Sequence, residues 1–332
     1  MDKLKNIAGK ITKAITNNTK PIKLITHTDM DGAGAAVVMN IAADILGRSI
    51  DITHVDNKDM NAAIKTAAED TRYSIVIVTD LSCDEKTAEH INNISHDNII
   101  ILDHHKTSDH LNKYDWAVSR SEALSDDRSS SGTSLIFETL KIIIPGFRNH
   151  KLLEKFVYTV ADYDTWKWTT DPQRFKDCPD LNTLYWFYGT KHFEEKYTHA
   201  ITYGSNLFTS QDRVMLAIED EKAQAAAKKA AETAQTAKII VNRKEYSIVY
   251  TYAARYMPAV INEIKTQFPD KDLMILIANS SLSLRSINPD TDVSAIAEFC
   301  GGGGHKNAAG ISIDNKLTLN FITNILSTQI IK

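Results

Sequence analysis

The chain is predicted to be α/β: a parallel-sheet N-terminal domain and a smaller α/β C-terminal domain, joined by a long helix. Three observations carry this. Short apolar runs alternate with amphipathic stretches through the first half, the pattern of βαβ units. The runs at Ser74–Thr79 and Asn98–Leu102 are almost wholly apolar, as strands covered on both faces should be. A long segment rich in Ala, Lys, Glu and Gln then separates two groups of strands.

Taken in order, strands are expected at Ile22–Thr26, Ile50–Val55, Ser74–Thr79 and Asn98–Leu102, with helices such as Gly32–Leu46 and Asn61–Asp70 between them. From Gly132 to Asp162 the pattern turns helical, through SLIFETLKIII and KLLEKFVYTVADYD. A polar, aromatic stretch from Trp166 to Phe208 has no clear period, and its tryptophans Trp166, Trp168 and Trp186 read more simply as core than as base-stacking groups. Ser210 offers an N-cap for a helix from Gln211 to about Lys238. That helix has high propensity but few large apolar residues, so it is either an exposed connector or a surface helix of one domain. Strand-like runs return at Lys238–Val241, Tyr246–Thr251, Leu273–Ala278 and Leu282–Ile287. The expected boundaries are therefore 1–209, 210–238 and 239–332.

Of 332 residues, 43% are hydrophobic and 24% charged, an ordinary globular composition. No apolar run approaches the ~18 residues of a membrane span, and the lysine-bearing start lacks the apolar core of a secretory signal. Cys83, Cys178 and Cys300 form no CxxC pair, which argues against a disulfide framework and for a reducing cytoplasm. Lys and Arg number 38 against 42 Asp and Glu, a net charge of −4. A protein gripping long nucleic acid usually carries a basic stripe, so this balance favours a small phosphorylated substrate.

The chemistry-bearing residues cluster at strand ends. The first strand runs into His27-Thr28-Asp29-Met30-Asp31-Gly32, the third delivers Asp80, and the fourth delivers Asp103-His104-His105. Parallel strands share one carboxyl edge, where ligands bind. Residues two apart on an extended segment point the same way, so His27, Asp29 and Asp31 can converge. Each piece alone has a plain structural reading, as a helix cap or a hydrogen-bonded loop. Together they gather carboxylates whose mutual repulsion calls for cations. A mixed oxygen and imidazole shell suits Mn²⁺, Mg²⁺ or Fe²⁺, and so many ligands suit two ions better than one. In the second half, Gly301–Gly304 followed by His305 and Lys306 reads by itself as a flexible loop more readily than as a phosphate cradle; as a cradle, its glycines would let the backbone approach a phosphate, with a helix starting just after it. His54, His90, His96, His110, His150, His192 and His199 are scattered and read as surface or structural. Ser129-Ser130-Ser131-Gly132 reads as a helix cap.

The segments HTDMDG, VTDLS, ILDHHKT and TVADYD resemble the four motifs of the DHH phosphoesterase superfamily, over about Ile22 to Trp166. GGGGHKNAAG, with SLRSINPDTDVSAIAEFC before it, resembles the DHH-associated C-terminal domain, which the family's inorganic pyrophosphatases lack. The resemblance is to its nanoRNase or oligoribonuclease-like phosphodiesterases. It implies that His27, Asp29 and Asp80 hold one metal and that Asp31, Asp80, His104 and Asp162 hold another, with Asp80 shared. Asp164, two residues beyond Asp162, is the other acid of that segment. Asp103 would orient the site and His105 would touch the scissile phosphate. Arg285, Gly302, Gly303, Gly304 and His305 would bind the substrate's phosphate or terminal nucleotide. Two divalent ions, Mn²⁺ foremost, would assist hydrolysis of short oligonucleotides to 5′-mononucleotides. Cyclic or linear dinucleotides and 3′-phosphoadenosine 5′-phosphate are the alternative substrates, and a non-catalytic nucleotide-binding module the alternative class. The expected partner is a short nucleic acid or dinucleotide, without a membrane; a homodimer is left open.

Overall fold

The computed structural model describes residues 2–94, 98–125, 127–278 and 280–313; His96 and the last residues of the chain lie outside them. The chain divides into two units, Met1–Leu216 and Ala217–Lys332. No helix among the described residues is long and apolar enough to cross a membrane.

The first unit is built on five parallel strands: β1 (Ile22–Thr26), β2 (Ile50–His54), β3 (Ile75–Thr79), β4 (Ile99–Asp103) and β5 (Ala117–Ser119). Their order is β2-β1-β3-β4-β5. β1, β3 and β4 are buried at every position, the reason their sequences are apolar without alternation. Alternate residues serve two cores. Leu24, Ile77, Ile100 and Leu102 pack under α1 (Asp2–Asn17), α2 (Met30–Ile45), α5 (Gly132–Ile143), α6 (Lys151–Asp164) and α7 (Asp177–Thr202). Ile25, Val78, Ile99 and Ile101 pack under α3 (Met60–Ala68) and α4 (Glu85–Asn93). The chain leaves β1 for β2 on one side and returns to β3 on the other. That reversal opens a crevice at the carboxyl ends of β1 and β3.

The helix predicted after Ser210 is α8 (Ser210–Thr233), which ends before Lys238. The backbone from Gln235 to Val241 is instead β6, paired antiparallel with β7 (Lys244–Tyr252). The pairing gives each backbone group a partner that an isolated helix end would lack. The alanines of α8 are not idle: Ala227, Ala230 and Ala231 are buried against Val249, Met274 and Leu276, a helical stripe of small residues packed on the second sheet. That sheet has the order β10-β11-β9-β8-β7-β6, with β8 (Leu273–Ile277), β9 (Ser281–Ser286), β10 (Gly303–His305) and β11 (Ala308–Ser312). α9 (Met257–Gln267) covers the face shared with α8, and α10 (Val293–Phe299) the other.

Candidate metal centre

The crevice is lined from the ends of β1, β3 and β4 and from α6. Asp80 follows β3 directly, with φ of +58°, and its N–H donates to the Leu102 carbonyl of β4. A non-glycine residue in the left-handed region carries a strain of about 1 kcal/mol and persists where the surroundings over-determine it. Here it buries the carboxylate between two imidazoles: Oδ2 lies 3.9 Å from His27 Nδ1, and Oδ1 lies 3.2 Å from His104 Nε2. One carboxylate thus faces two separate histidines with its two oxygens.

On one side, His27, Asp29 and Asp80 bring ligating atoms within 4.8 Å of one another, and Asp31, His104 and Asp164 do so on the other. Asp29 caps α2, accepting from Gly32 N–H, and its other oxygen is 2.8 Å from His27 Nδ1. Asp31, in the first turn of the same helix, is held by Gly132 N–H at 2.6 Å and Thr133 N–H at 3.1 Å. The start of α5 therefore fixes this carboxylate, a helix N-terminus receiving an anion. Its SSSG sequence reads as a cap and is one: Ser131 accepts from Ser134 N–H in a capping box.

In the fourth motif it is Asp164 that stands beside His104. Asp164 Oδ2 lies 3.2 Å from His104 Nε2. Asp162, the expected ligand, instead accepts from Ser129 Oγ at 2.7 Å and lies 3.4 Å from Lys167 Nζ. Two residues apart on a helix point in nearly opposite directions, so α6 can offer only one of them to the crevice. Leu153, Phe156, Val157 and Val160 are large apolar residues on the buried side of α6, and Asp164 lies one turn beyond Val160; Asp162 is buried too, against Ser129 and Lys167.

Asp103 is the last residue of β4 and is buried. It accepts from His104 N–H and from Ser108 Oγ, and one of its oxygens lies 2.8 Å from His105 Nδ1. The His105 ring is half exposed, so its Nε2 side faces outward from a fixed base. Sequence reasoning missed two braces. His54 Nδ1 meets the His27 carbonyl at 2.8 Å while Nε2 meets Glu194, and Tyr185 Oη donates to the Thr28 carbonyl. Their signal in sequence is slight, since both come from elements remote from the motif.

Electrostatics says what the cluster lacks. Burial, then the charges of Asp31 and Asp29, holds the Asp80 carboxyl well above its ordinary range. Burial and the same two aspartates push Asp164 up to about 8. Burial holds the His104 imidazole below its ordinary value, leaving a nitrogen lone pair free to ligate. The hydrogen bond to Asp103 lifts His105 to about 9. Asp80 Oδ2 and Asp164 Oδ2 are buried without a hydrogen-bond partner. Buried carboxylate oxygens are ordinarily satisfied, and two orphans within one cluster of buried acids mark a place for cations. The donor set of carboxylates and imidazoles fits hard or borderline divalent ions.

Tight packing at the centre gives a first test. A Cβ on Gly132 would lie 2.5 Å from Asp80 Cβ and 2.9 Å from Asp31 Oδ2. Gly132→Ala is expected to displace both carboxylates and lower metal-dependent activity by about a hundredfold, since misplacement by ~1 Å costs that much. Steady-state kinetics beside circular dichroism checks it; unchanged kinetics would mean these carboxylates are not critically placed.

In the second unit, the glycine segment departs from expectation. Among the described residues no helix follows Gly304. Gly303–His305 is an edge strand that turns through Lys306-Asn307, a two-residue hairpin connection, into β11. The glycines are required by close backbone approach: a Cβ on Gly302 would meet the Gly310 carbonyl oxygen at 2.1 Å, and one on Gly304 would meet Ala309 Cα at 2.5 Å. His305 pairs with Ala308 and Ala308 with Arg285, so these side chains share a sheet face. Arg285, Gly303 and Gly304 line an open pocket of about 290 Å³. Among the described residues Arg285 has no carboxylate partner, and burial alone lowers its pKa. The tryptophans also differ: Trp166 and Trp186 are about 70% exposed rather than core.

The family model described as "DHH family, N-terminal domain" matches residues 21–162. Oligoribonuclease NrnB of Bacillus subtilis (strain 168) is 31% identical over 310 residues, covering 90% of this chain and 74% of that protein. RecJ from Thermus thermophilus, solved in complex with Mn²⁺, shares the fold with a TM-score of 0.57 at 14% identity, over 98% of this chain and 54% of that one. An exonuclease RecJ bound to manganese gives a TM-score of 0.56 at 13% identity, over 96% and 92%.

Proposed function

The chain belongs to the DHH family, and on that premise we propose that it is a two-metal phosphodiesterase hydrolysing short oligonucleotides to 5′-mononucleotides. Its similarity to an oligoribonuclease supports the reaction class. The observation that carries the two-metal reading is Asp80, whose two oxygens face His27 and His104 separately.

His27, Asp29 and Asp80 would hold one ion, and Asp31, Asp80, His104 and Asp164 the other. When bound, the pair supplies activation of an attacking water at neutral pH and neutralisation of phosphate charge. The protein's own groups do the rest. The α5 start and the Asp29 cap hold the carboxylates in place before substrate arrives, so little reorganisation is needed at reaction. Asp103 holds Nδ1 of His105 and leaves Nε2 as a donor toward a phosphate oxygen or the leaving oxygen. In the second unit, Arg285 is a half-buried guanidinium with no carboxylate partner among the described residues, and its planar fork suits a terminal phosphate. Manganese is the favoured ion, with Mg²⁺ or Fe²⁺ as alternatives.

The test is a panel of di- to decanucleotides, cyclic dinucleotides and phosphoadenosine phosphate, incubated with Mn²⁺. The expected result is release of 5′-mononucleotides from the shortest linear substrates, abolished by chelator and restored by added Mn²⁺. Turnover confined to cyclic dinucleotides or phosphoadenosine phosphate would replace the substrate assignment, and no turnover on any member would favour a binding module.

A further inference from the structure

Beside the metal centre runs a strip of aromatic side chains that the hydrolytic chemistry does not use. α6 ends at Asp164, and Tyr163, Trp168 and Trp166 stand next to it. The rings of Tyr163 and Trp168 are stacked at 5.8 Å with 7° between their planes, and those of Trp168 and Trp166 at 6.2 Å with 24°. Trp166 has φ of +60° and is 69% exposed. A bulky residue in this backbone region is strained, and an indole left 69% exposed gains little burial, so packing accounts poorly for either choice.

The strip continues on α7. Asn182 Nδ2 donates to Tyr163 Oη at 2.8 Å. Trp186, 70% exposed, lies four residues on and hence on the same face of the helix, ahead of the kink at Gly189. Its neighbour Tyr185 meets it edge-on at 5.3 Å and bonds the Thr28 carbonyl, between His27 and Asp29. The strip is thus tied to the centre at both ends, through Asp164 and through Thr28.

We propose that this strip is the base-stacking platform for the nucleotides flanking the scissile phosphate, with Trp166 as its principal contact. The inference rests on the oligonucleotide reading above. Stacking on Trp168 fixes the Trp166 ring before binding, so the exposed indole presents a flat π surface at low entropic cost; every base has a π face, so recognition is tolerant of sequence. The platform sets affinity for substrates that carry bases and leaves the hydrolytic step alone. It also supplies affinity without a basic stripe, in keeping with the net charge of −4.

The experiment compares wild type with Trp166→Asn, which removes the indole while tolerating the left-handed backbone, and with the conservative Trp166→Tyr. For di- and trinucleotides, Trp166→Asn is expected to raise KM by about tenfold with kcat within about twofold, and Trp166→Tyr to recover most of the loss. A dinucleotide carrying abasic sugars should show the same KM in all three. Stopped-flow tryptophan quenching on mixing with a trinucleotide should be strong in wild type and much reduced in Trp166→Asn. Wild-type cleavage with equal KM values and equal quenching in the variants overturns the platform and leaves the oligonucleotide reading standing. Quenching without cleavage overturns that reading and keeps the platform. Neither quenching nor cleavage overturns both.

Discussion

Asp80→Asn is expected to lower Mn²⁺-dependent hydrolysis of a dinucleotide by about 10³-fold or more, a loss near 4 kcal/mol of transition-state stabilisation. The substitution keeps shape and tolerates the left-handed backbone at φ +58°, so the fold should survive. What it removes is the charge that faces both His27 and His104. Because burial and the charges of Asp31 and Asp29 hold the Asp80 carboxyl well above its ordinary range, the metal-free protein should gain stability. A higher melting temperature without metal, together with lost activity, would mark a site built for function at a cost in stability. Activity within about tenfold of wild type, in a folded variant, would refute the shared role.

The second large effect separates two aspartates two residues apart. Asp164→Asn should cost about a hundredfold or more in activity, whereas Asp162→Asn should cost a few-fold at most. Asp162 braces the turn before α5 through Ser129, and an asparagine oxygen can still accept that bond. Asp164 also predicts a pH dependence. Its carboxyl is raised in the folded protein to about 8 from an ordinary 3.8. A folded-state value above the unfolded one favours the protonated form in the native state. The stability it contributes is therefore full below about pH 3.8 and lost as pH climbs through about 8. Thermal melts of metal-free protein should fall over that window, Asp164→Asn should flatten the fall, and Mn²⁺ should reverse it. The opposite ranking of the two variants would restore Asp162 as the ligand.

Much of this was legible in the sequence because it depends on local rules. β1, β3 and β4 are continuous apolar runs because both their faces are covered, and their last residues must then share an edge. That is why His27, Asp29, Asp31, Asp80, Asp103 and His104 could be grouped without coordinates. The choice between Asp162 and Asp164 depends instead on the rotation of α6. The stripe of Leu153, Phe156, Val157 and Val160 sets that rotation and was the available signal. The glycine run alone does not distinguish a loop before a helix from a strand, because glycine freedom is compatible with many backbones. Its strand pairing is fixed by Gly310 and Ala309 on a neighbouring strand, which no local pattern announces. Likewise the alanine stripe of α8 has too little hydrophobic contrast to reveal the sheet it covers, and the strip around Trp166 rests on ring orientations that spacing does not encode.

The central claim is a dinuclear centre sharing Asp80, and titration of the metal-free protein with Mn²⁺, followed by electron paramagnetic resonance, tests it most directly. Two ions per chain are expected, with an exchange-coupled signal that vanishes in Asp80→Asn. A single uncoupled ion in wild type, or a coupled pair that persists in Asp80→Asn, would contradict it.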